Sequence, residues 1–288
     1  MSSVKLPVFK IIRPGIFCAV QDFGRFGFRH LGVSCSGVSY RQSMIYANFL
    51  VNNRPDKPVL EVFGQKCEIE ILNPVNIAVS GATAQILLDG IISDFSVARC
   101  VVPGQKLKIE KLINGAISYI AVSGGFEAEP VMGSVSTLTG THLRPLLKNE
   151  VVFAAISEDL PSKNLGHLKP LNIDINSQIN VQKGPEFDML DENSKIRLFE
   201  DVYRITKNSN RMGYRLDGNP LQRINLNDIL TSAVAPGVVQ LLPDGQLILL
   251  MRDCQTTGGY PRILICGESD INQIAHRSPG DTIRFKLQ

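Results

Sequence analysis

Residues 246–263 read QLILLMRDCQTTGGYPRI, and the change of character inside them decides the fold class. Leu247-Ile248-Leu249-Leu250 is an aliphatic run of strand length, too short for a helix of its own. It gives way to an acid, an amide, two hydroxyls, two glycines and a proline-restricted tyrosine within nine residues. A polar, glycine-bearing strand end is costly to order unless something binds there or the backbone needs that geometry.

The same texture recurs along the chain. ILLDGII (86–92), KLKIE (106–110) and ISYIAVSGG (117–125) are short apolar runs punctuated by Gly, Asn and Asp, which predicts a mainly β protein. Three helices stand out against that background. Ser39 with Gln42 forms a capping box ahead of Met44, Ile45, Phe49 and Leu50. A second helix runs from about Asp191 to Tyr203, with Ile196, Phe199 and Val202 or Tyr203 on one face. In a third, Ser269 caps Ile271, Ile274 and Ala275, and Ser278-Pro279-Gly280 stops it. The polar segment SEDLPSKNLGHLKPLNIDIN (157–176) reads as a linker between a domain at 1–156 and one at 177–288. Val102-Pro103-Gly104 and Ser278-Pro279-Gly280 each precede an alternating strand, a faint echo between the two halves.

Composition narrows the partners. The 288 residues are 44% hydrophobic and 20% charged, with a net charge of +3, enough for a core and too few charges for disorder. No Lys/Arg block tracks phosphates, so nucleic acid is not expected as a partner. No apolar run approaches the roughly 18 residues of a membrane helix. The N-terminus lacks a signal peptide's apolar region. None of the six cysteines forms a C-x-x-C pair. The expectation is a cytoplasmic protein with reduced thiols and no membrane contact.

Several chemistries are missing. There is no G-x-x-x-x-G-K-[ST] loop and no dinucleotide fingerprint. H-E-x-x-H is absent and the four histidines are widely spaced, so no metal is expected. Gly32-Val33-Ser34-Cys35-Ser36-Gly37 is not the nucleophile elbow, because position 36 is Ser rather than Gly. No Met-Lys-Met marks a biotinyl lysine.

Five constellations remain. In VQDFGRFGFRHLGVSCSG (20–37), Gln21, Asp22, Arg25, Arg29 and His30 sit among glycines. An Asp near two arginines either readies a guanidinium fork for a carboxylate or phosphate, or makes a structural pair in a tight turn. In NSNRMGYRLDG (208–218), Arg211 and Arg215 share one face if extended. They either hold an anion or form a solvated ladder with Asp217. In VAPGVVQLLPDGQ (234–246), the turn signatures imply a hairpin presenting Gln240, or no more than a hairpin. In RDCQTTGGYPRI (252–263), Gln255 suits an amide or ureido group and Thr256 and Thr257 supply hydroxyls. The amides of Gly258 and Gly259 suit an anion-binding concavity, and Tyr260 is held extended by Pro261. A glycine bulge would explain the glycines but not the polar set. SGGFEAEPVMGSVST (123–137) has an amidase-like serine texture without a lysine to activate it, and reads as a turn-rich connection.

In order, VQDFGRFGFRHLGV, SG (36–37), AN (47–48), LEV (60–62), SGA (80–82), YIAVSGG, GS (133–134), RMGYRLDG, APG, PDGQ, QTTGGYP and PGDTIRF resemble one family over nearly the whole chain. It is the carboxyltransferase-domain family known as allophanate hydrolase subunit 2, or KipA. The family includes the C subunit of 5-oxoprolinase and the matching part of urea carboxylase. Four departures fall in the N-terminal half. Tyr40 stands where the family usually has an acid, Gln65-Lys66 where it has Gly-Gly, and Val135 where it has Arg. A glycine-rich turn before Arg144-Pro145 is shortened.

The resemblance implies two cyclophilin-like β-barrel domains, the first of carboxyltransferase type. It implies a partner, a subunit 1 or KipI-like protein, and with it a third 5-oxoprolinase subunit. The complex would act on a small amide, by ATP-dependent hydrolysis of 5-oxoproline or by biotin-dependent carboxyl transfer. ATP would then belong to the complex, and biotin to another chain or domain. On that reading Arg211 or Arg215 clamps a substrate carboxylate, and Gln255 with the Gly258 and Gly259 amides faces the reacting carbonyl. Asp22, Asp253 and Tyr260 are the candidate bases. Gln21, Arg25, Gln240, Thr256 and Thr257 would complete the substrate contacts. The alternative is a non-enzymatic KipA-like regulator that binds and antagonises a kinase inhibitor.

Overall fold

The structure is a computed structural model describing residues 4–156, 173–176, 178–225 and 229–288. Most of the expected linker, residues 157–172, therefore lies outside the described residues. The contacts divide the chain into two compact units, Met1–Arg25 with Tyr40–Ile173, and Phe26–Ser39 with Asp174–Gln288. The segment Phe26–Ser39 thus groups with the C-terminal residues rather than with its neighbours in sequence.

In the first unit, β1 (Val4–Arg13), β2 (Phe17–Gln21), α1 (Arg41–Leu50), β3 (Val59–Phe63) and β4 (Cys67–Ile71) come first. The long strand β5 (Val75–Leu88) turns into β6 (Ile91–Ile92); β7 (Arg99–Val101), β8 (Lys106–Val122), β9 (Phe126–Glu127) and β10 (Val151–Ile156) follow. They form a sheet in the order β2-β3-β8-β4-β1-β10-β9, with β5 pairing β6, β7 and β8. In β4 alternate residues Cys67, Ile69 and Ile71 point into the core, the period-two pattern of a strand with one wet face. The run Ala116–Val122 of β8 is buried throughout. α1 packs on β5 and β8, which is why this stretch reads as a continuous apolar run.

The second unit holds β11 (Ile179–Lys183), α2 (Glu192–Glu200), β12 (Tyr203–Ile205), β13 (Gly213–Asp217) and β14 (Ser232–Ala233). β15 (Val238–Leu241), β16 (Leu247–Leu250), β17 (Thr257–Gly258), β18 (Arg262–Cys266), α3 (Glu268–Ala275), β19 (Thr282–Ile283) and β20 (Phe285–Leu287) complete it. Eight strands run β19-β12-β13-β16-β15-β18-β11-β20, and β14 with β17 makes a separate ribbon. The described residues are thus mostly strand with three helices, in two nearly closed, barrel-like sheets, as the resemblance implied. No described helix is long and apolar enough to cross a membrane. Both Pro-Gly turns of the sequence echo place glycine at positive φ, 88° at Gly104 and 101° at Gly280. In each, the next residue's N–H closes the turn on the residue before the proline.

The helix ends differ from the expected ones. α1 is led by Tyr40 with no side-chain cap, and the Ser39 hydroxyl instead accepts from Arg211. α2 is capped by Asp191, which accepts from the Ser194 N–H at 2.6 Å. It stops at Glu200, because Tyr203 is already in β12. Its buried face is Ser194 and Leu198, while Ile196 is exposed. α3 starts after Gly267, two residues earlier than a Ser269 cap would give, and buries Ile271, Ile274 and Ala275 as expected.

Candidate functional site

The stretch at 246–263 becomes a strand, a polar turn and a ribbon. β16 ends at Leu250, and Arg252 and Asp253 then point to different partners. Arg252, nearly buried, forks onto Glu268 at 2.7 and 3.0 Å and reaches Asn272 on α3 at 2.8 Å. Asp253 takes both arms of Arg211, Nε to Oδ2 at 2.8 Å and Nη2 to Oδ1 at 2.9 Å. The Ser36 hydroxyl also donates to Asp253, at 2.7 Å. Arg211 continues to the Ser39 hydroxyl at 2.7 Å and the Gly37 carbonyl at 2.6 Å. Three segments far apart in sequence, 36–39, 211 and 253, are therefore bound into one charge-assisted network within the second unit.

This network corrects the expected pair of arginines on one strand face. Arg211 sits in the turn before β13, closed by the Asn210–Gly213 bridge, because its fork is taken by Asp253. Arg215 and Asp217 alternate with buried Tyr214 and Leu216 and face solvent, the ladder alternative. Cys254, fully buried beside this network, has its thiol pushed up to about 11 by burial, against the opposing pull of the Arg29 guanidinium. It is inert as a nucleophile near neutrality.

Beyond Cys254 the chain surfaces. Gln255, Thr257, Gly259 and Tyr260 are exposed, and Thr256 is half-buried with its carbonyl accepting from the Val234 N–H at 3.0 Å. Thr257 and Gly258 pair with Ala233 and Ser232 in the β14–β17 ribbon. Neither Gly258 nor Gly259 has positive φ, so the alternating geometry of an anion-binding concavity is not formed there. A Cβ on Gly258 would stand 2.8 Å from Gln240 Nε2, so the glycine lies directly against the end of that side chain. Gln240, expected at the hairpin's surface, is buried in β15 and donates to the Tyr260 carbonyl at 3.2 Å. The β15–β16 hairpin exists, and its glutamine positions the exposed motif from behind.

In the first unit, Asp22 is fully occupied. Its Oδ1 accepts from Gly24 N at 2.8 Å and from the Ser134 and Ser136 hydroxyls, both at 2.6 Å; Oδ2 accepts from Val135 N at 2.9 Å. Arg25, buried, donates to the Thr137 and Ser136 carbonyls, and Gln21 donates to Thr137 Oγ1 at 3.0 Å. Gln21, Asp22 and Arg25 thus clasp the 134–137 segment rather than an open ligand site. The segment read as a plain connection supplies every one of these partners except the Gly24 N–H. Reasoning from sequence also missed a cavity of about 350 Å³ between α1, β5 and the loop after β6, lined by Tyr46, Ser80, Thr83, Asp94 and Phe95 among others. The signal available for it was SGA at 80–82, which stands out in the sequence only as a family mark.

Residues 31–287 match the family described as carboxyltransferase domain, subdomain A and B. The chain belongs to that family. It is 35% identical to the C subunit of 5-oxoprolinase from Escherichia coli over 96% of this chain and 90% of that protein. It is 28% identical to urea amidolyase of Saccharomyces cerevisiae, again over 96% of this chain but only 16% of that protein. Among solved structures it superposes on Kluyveromyces lactis urea carboxylase with a TM-score of 0.86 at 25% identity, covering 98% of this chain and 27% of that one. TTHA0988 gives a TM-score of 0.85 at 26% identity, with 98% and 56% covered. The chain therefore spans nearly all of the bacterial 5-oxoprolinase relative, just over half of TTHA0988 and about a quarter of the urea carboxylase.

The family departures have local consequences. Lys66 adopts φ 65° in the turn between β3 and β4, a left-handed position where glycine is unstrained. Val135 is buried, and its N–H serves Asp22. Tyr40 donates its backbone N–H to the Tyr119 hydroxyl at 2.8 Å, and its hydroxyl to Gln42 at 2.9 Å; burial pushes its phenol up. Tyr40 and Val135 therefore bring no charge to these positions at neutral pH.

Proposed function

We propose that this chain is a subunit of an ATP-dependent, 5-oxoprolinase-type complex that acts on a small amide together with other subunits. The observation that carries the reading is the 35% identity to the 5-oxoprolinase C subunit across nine-tenths of both proteins. The partners on this reading are a subunit 1 or KipI-like protein and a third 5-oxoprolinase subunit. ATP belongs to the complex. Gly258 and Gly259 do not make a phosphate cradle. Biotin, if a carboxyl transfer is involved, belongs to another chain.

Within the second unit, the exposed edge Gln255–Tyr260 is the surface offered to substrate or partner, and Gln240 and the Arg211–Asp253 pair hold it in place. The test is co-expression with the neighbouring subunits, followed by an assay of ATP-dependent glutamate release from 5-oxoproline. The expected result is release that Gln255→Ala abolishes while leaving the fold intact. Unchanged turnover in that variant removes Gln255 from the site.

The second reading, a KipA-like regulator, is favoured by one observation: Asp22 and Asp253, two of the three candidate bases, are already engaged by internal donors. A stable two-protein complex with no glutamate release would select it.

A further inference from the structure

None of the six cysteines contributes a side chain to the Arg211–Asp253 network or to the exposed edge, but two of them meet beside both. Cys35 and Cys254 belong to the second unit. The segments that carry them are pinned together one residue away, where the Ser36 hydroxyl donates to Asp253 at 2.7 Å. The Arg29 guanidinium reaches both sulfurs. Its Nη1 stands 4.0 Å from Cys35 Sγ, and its charge and hydrogen bond oppose the rise that burial forces on the Cys254 thiol. The charge on an ionised Cys35 acts on Cys254 in the other sense, so the two thiols are close enough to feel each other.

The two differ in access. Cys35 is half-buried with a guanidinium beside its sulfur, the setting in which reactive cysteines occur. Cys254 is fully buried and, with its thiol at about 11, does not begin such chemistry. It is placed to finish it, because a neighbour needs no access to solvent to attack a group formed on Cys35. Cys18 and Cys67 share a hydrogen bond but are both buried in the core of the first unit, and Cys266 is buried near Asp270. Arg29 also ties the Cys35–Cys254 pair to the exposed edge. Its Nη2 donates to the Val234 carbonyl, and the Val234 N–H donates to the Thr256 carbonyl at 3.0 Å. A disulfide brings two Cβ atoms to about 3.8 Å, which leaves no place for a guanidinium on both sulfurs. Closing the pair therefore expels Arg29 and takes a charged donor away from Val234.

We propose that Cys35 and Cys254 form an oxidisable dithiol that hydrogen peroxide closes into a disulfide, and that closure releases the hold of Arg29 on the Gln255–Tyr260 edge. The Cys35 sulfur attacks one peroxide oxygen, the O–O bond breaks, water leaves and Cys35 becomes a sulfenic acid. The Cys254 sulfur then displaces the sulfenic hydroxyl, which leaves as water with the Cys254 proton. Two thiols are oxidised and one peroxide is reduced to two waters, and a reducing thiol reopens the bond by exchange. The dithiol stands on its own geometry; its effect on turnover rests on the subunit reading.

The test is peptide mass mapping of the full chain after treatment with hydrogen peroxide at about pH 8.5, where more of the Cys254 thiol is ionised than at neutrality. The expected product is a linked Cys35–Cys254 peptide, with Cys18, Cys67 and Cys266 still reduced. Backbone amide shifts should move at residues 232–234 and 256–258 and return with dithiothreitol. Arg29→Gln should move the same amides without oxidation. In Cys254→Ala, Cys35 should go on to the sulfinic acid. Cys35→Ser should abolish the link and the peroxide-induced shifts, and it keeps the test decisive if the buried Cys254→Ala variant does not fold. The proposal is overturned if Cys35 over-oxidises in the native chain without linking, if the link joins Cys100 or joins Cys18 to Cys67 instead, or if the linked chain leaves residues 232–234 and 256–258 unmoved. In a complex reconstituted from the oxidised chain after peroxide is removed, glutamate release should fall several-fold and recover on reduction; full turnover by the linked chain also overturns the proposal. A link with no release in either state removes the subunit reading and leaves the dithiol. Full release from a peroxide-treated chain that carries no link does the reverse.

Discussion

Arg211 satisfies three acceptors at once, Asp253, Ser39 and Gly37, from a side chain only 15% exposed. A lysine would keep the charge but not the planar fork, and could not reach all three in fixed directions. Arg211→Lys should therefore cost about 2 kcal/mol, the scale of one or two lost charge-assisted hydrogen bonds. Urea denaturation measures it, and a loss below about 0.5 kcal/mol, the range of ordinary surface substitutions, would show that the network is not holding these segments. None of this pairing was readable along the sequence. Arg211 and Asp253 are 42 residues apart, and Arg211 and Ser39 172. Local spacing instead suggested Arg215 as the companion of Arg211. The same distance explains the misread cap: Ser39 has the right residue type and place, but a remote guanidinium takes its hydroxyl. What the sequence did show was residue type at the exposed edge, where Gln255, Thr257 and Tyr260 do face outward.

At the scale of elements, alternation made the strands legible. β16 lies within a run read as a strand and β8 joins two of them, 106–110 and 117–125, and the turns at Asp89-Gly90 and Pro243-Asp244-Gly245 fall where their residue types place them. Helix ends were less legible, because a cap depends on which donor or acceptor arrives from elsewhere. The β3–β4 turn offers a test of element-scale strain. Lys66 is exposed at φ 65°, and its N–H bonds the Ile109 carbonyl at 2.6 Å, so the turn geometry is fixed by the sheet. A non-glycine residue pays roughly 1–2 kcal/mol for the left-handed region, and glycine gives part of that back as unfolded-chain entropy. Lys66→Gly should then stabilise the chain by about 0.5–1 kcal/mol. Thermal or urea unfolding checks it; a destabilised variant would mean that the lysine's contacts outweigh the backbone strain.

At the scale of the whole chain, the β class and the two barrel-like sheets followed from strand texture and family motifs. The discontinuous second unit did not, since nothing in the composition of Phe26–Ser39 marks it as grouping with residues beyond 173. Global stability carries one titration signature. His276, at the end of α3, is buried, and burial pushes its imidazole down to about 3 from an ordinary 6.5. Between those values the unfolded chain binds a proton that the native chain refuses. Stability is thus full above pH 6.5 and declines as pH falls, by about 1.4 kcal/mol per unit. At pH 5 the loss should reach about 2 kcal/mol. Glu186 and Glu150 are held below the usual carboxylate range by the guanidiniums of Arg262 and Arg144. Their stabilisation is lost only below the ordinary carboxylate pKa of about 4.3, so they do not contribute between pH 6.5 and 5. Urea midpoints measured across that interval should fall for the native sequence and stay level for His276→Gln, whatever the absolute stability of the variant. A flat native profile, or an unchanged slope in the variant, would mean that His276 takes up its proton in the folded chain and that the core beneath α3 admits charge.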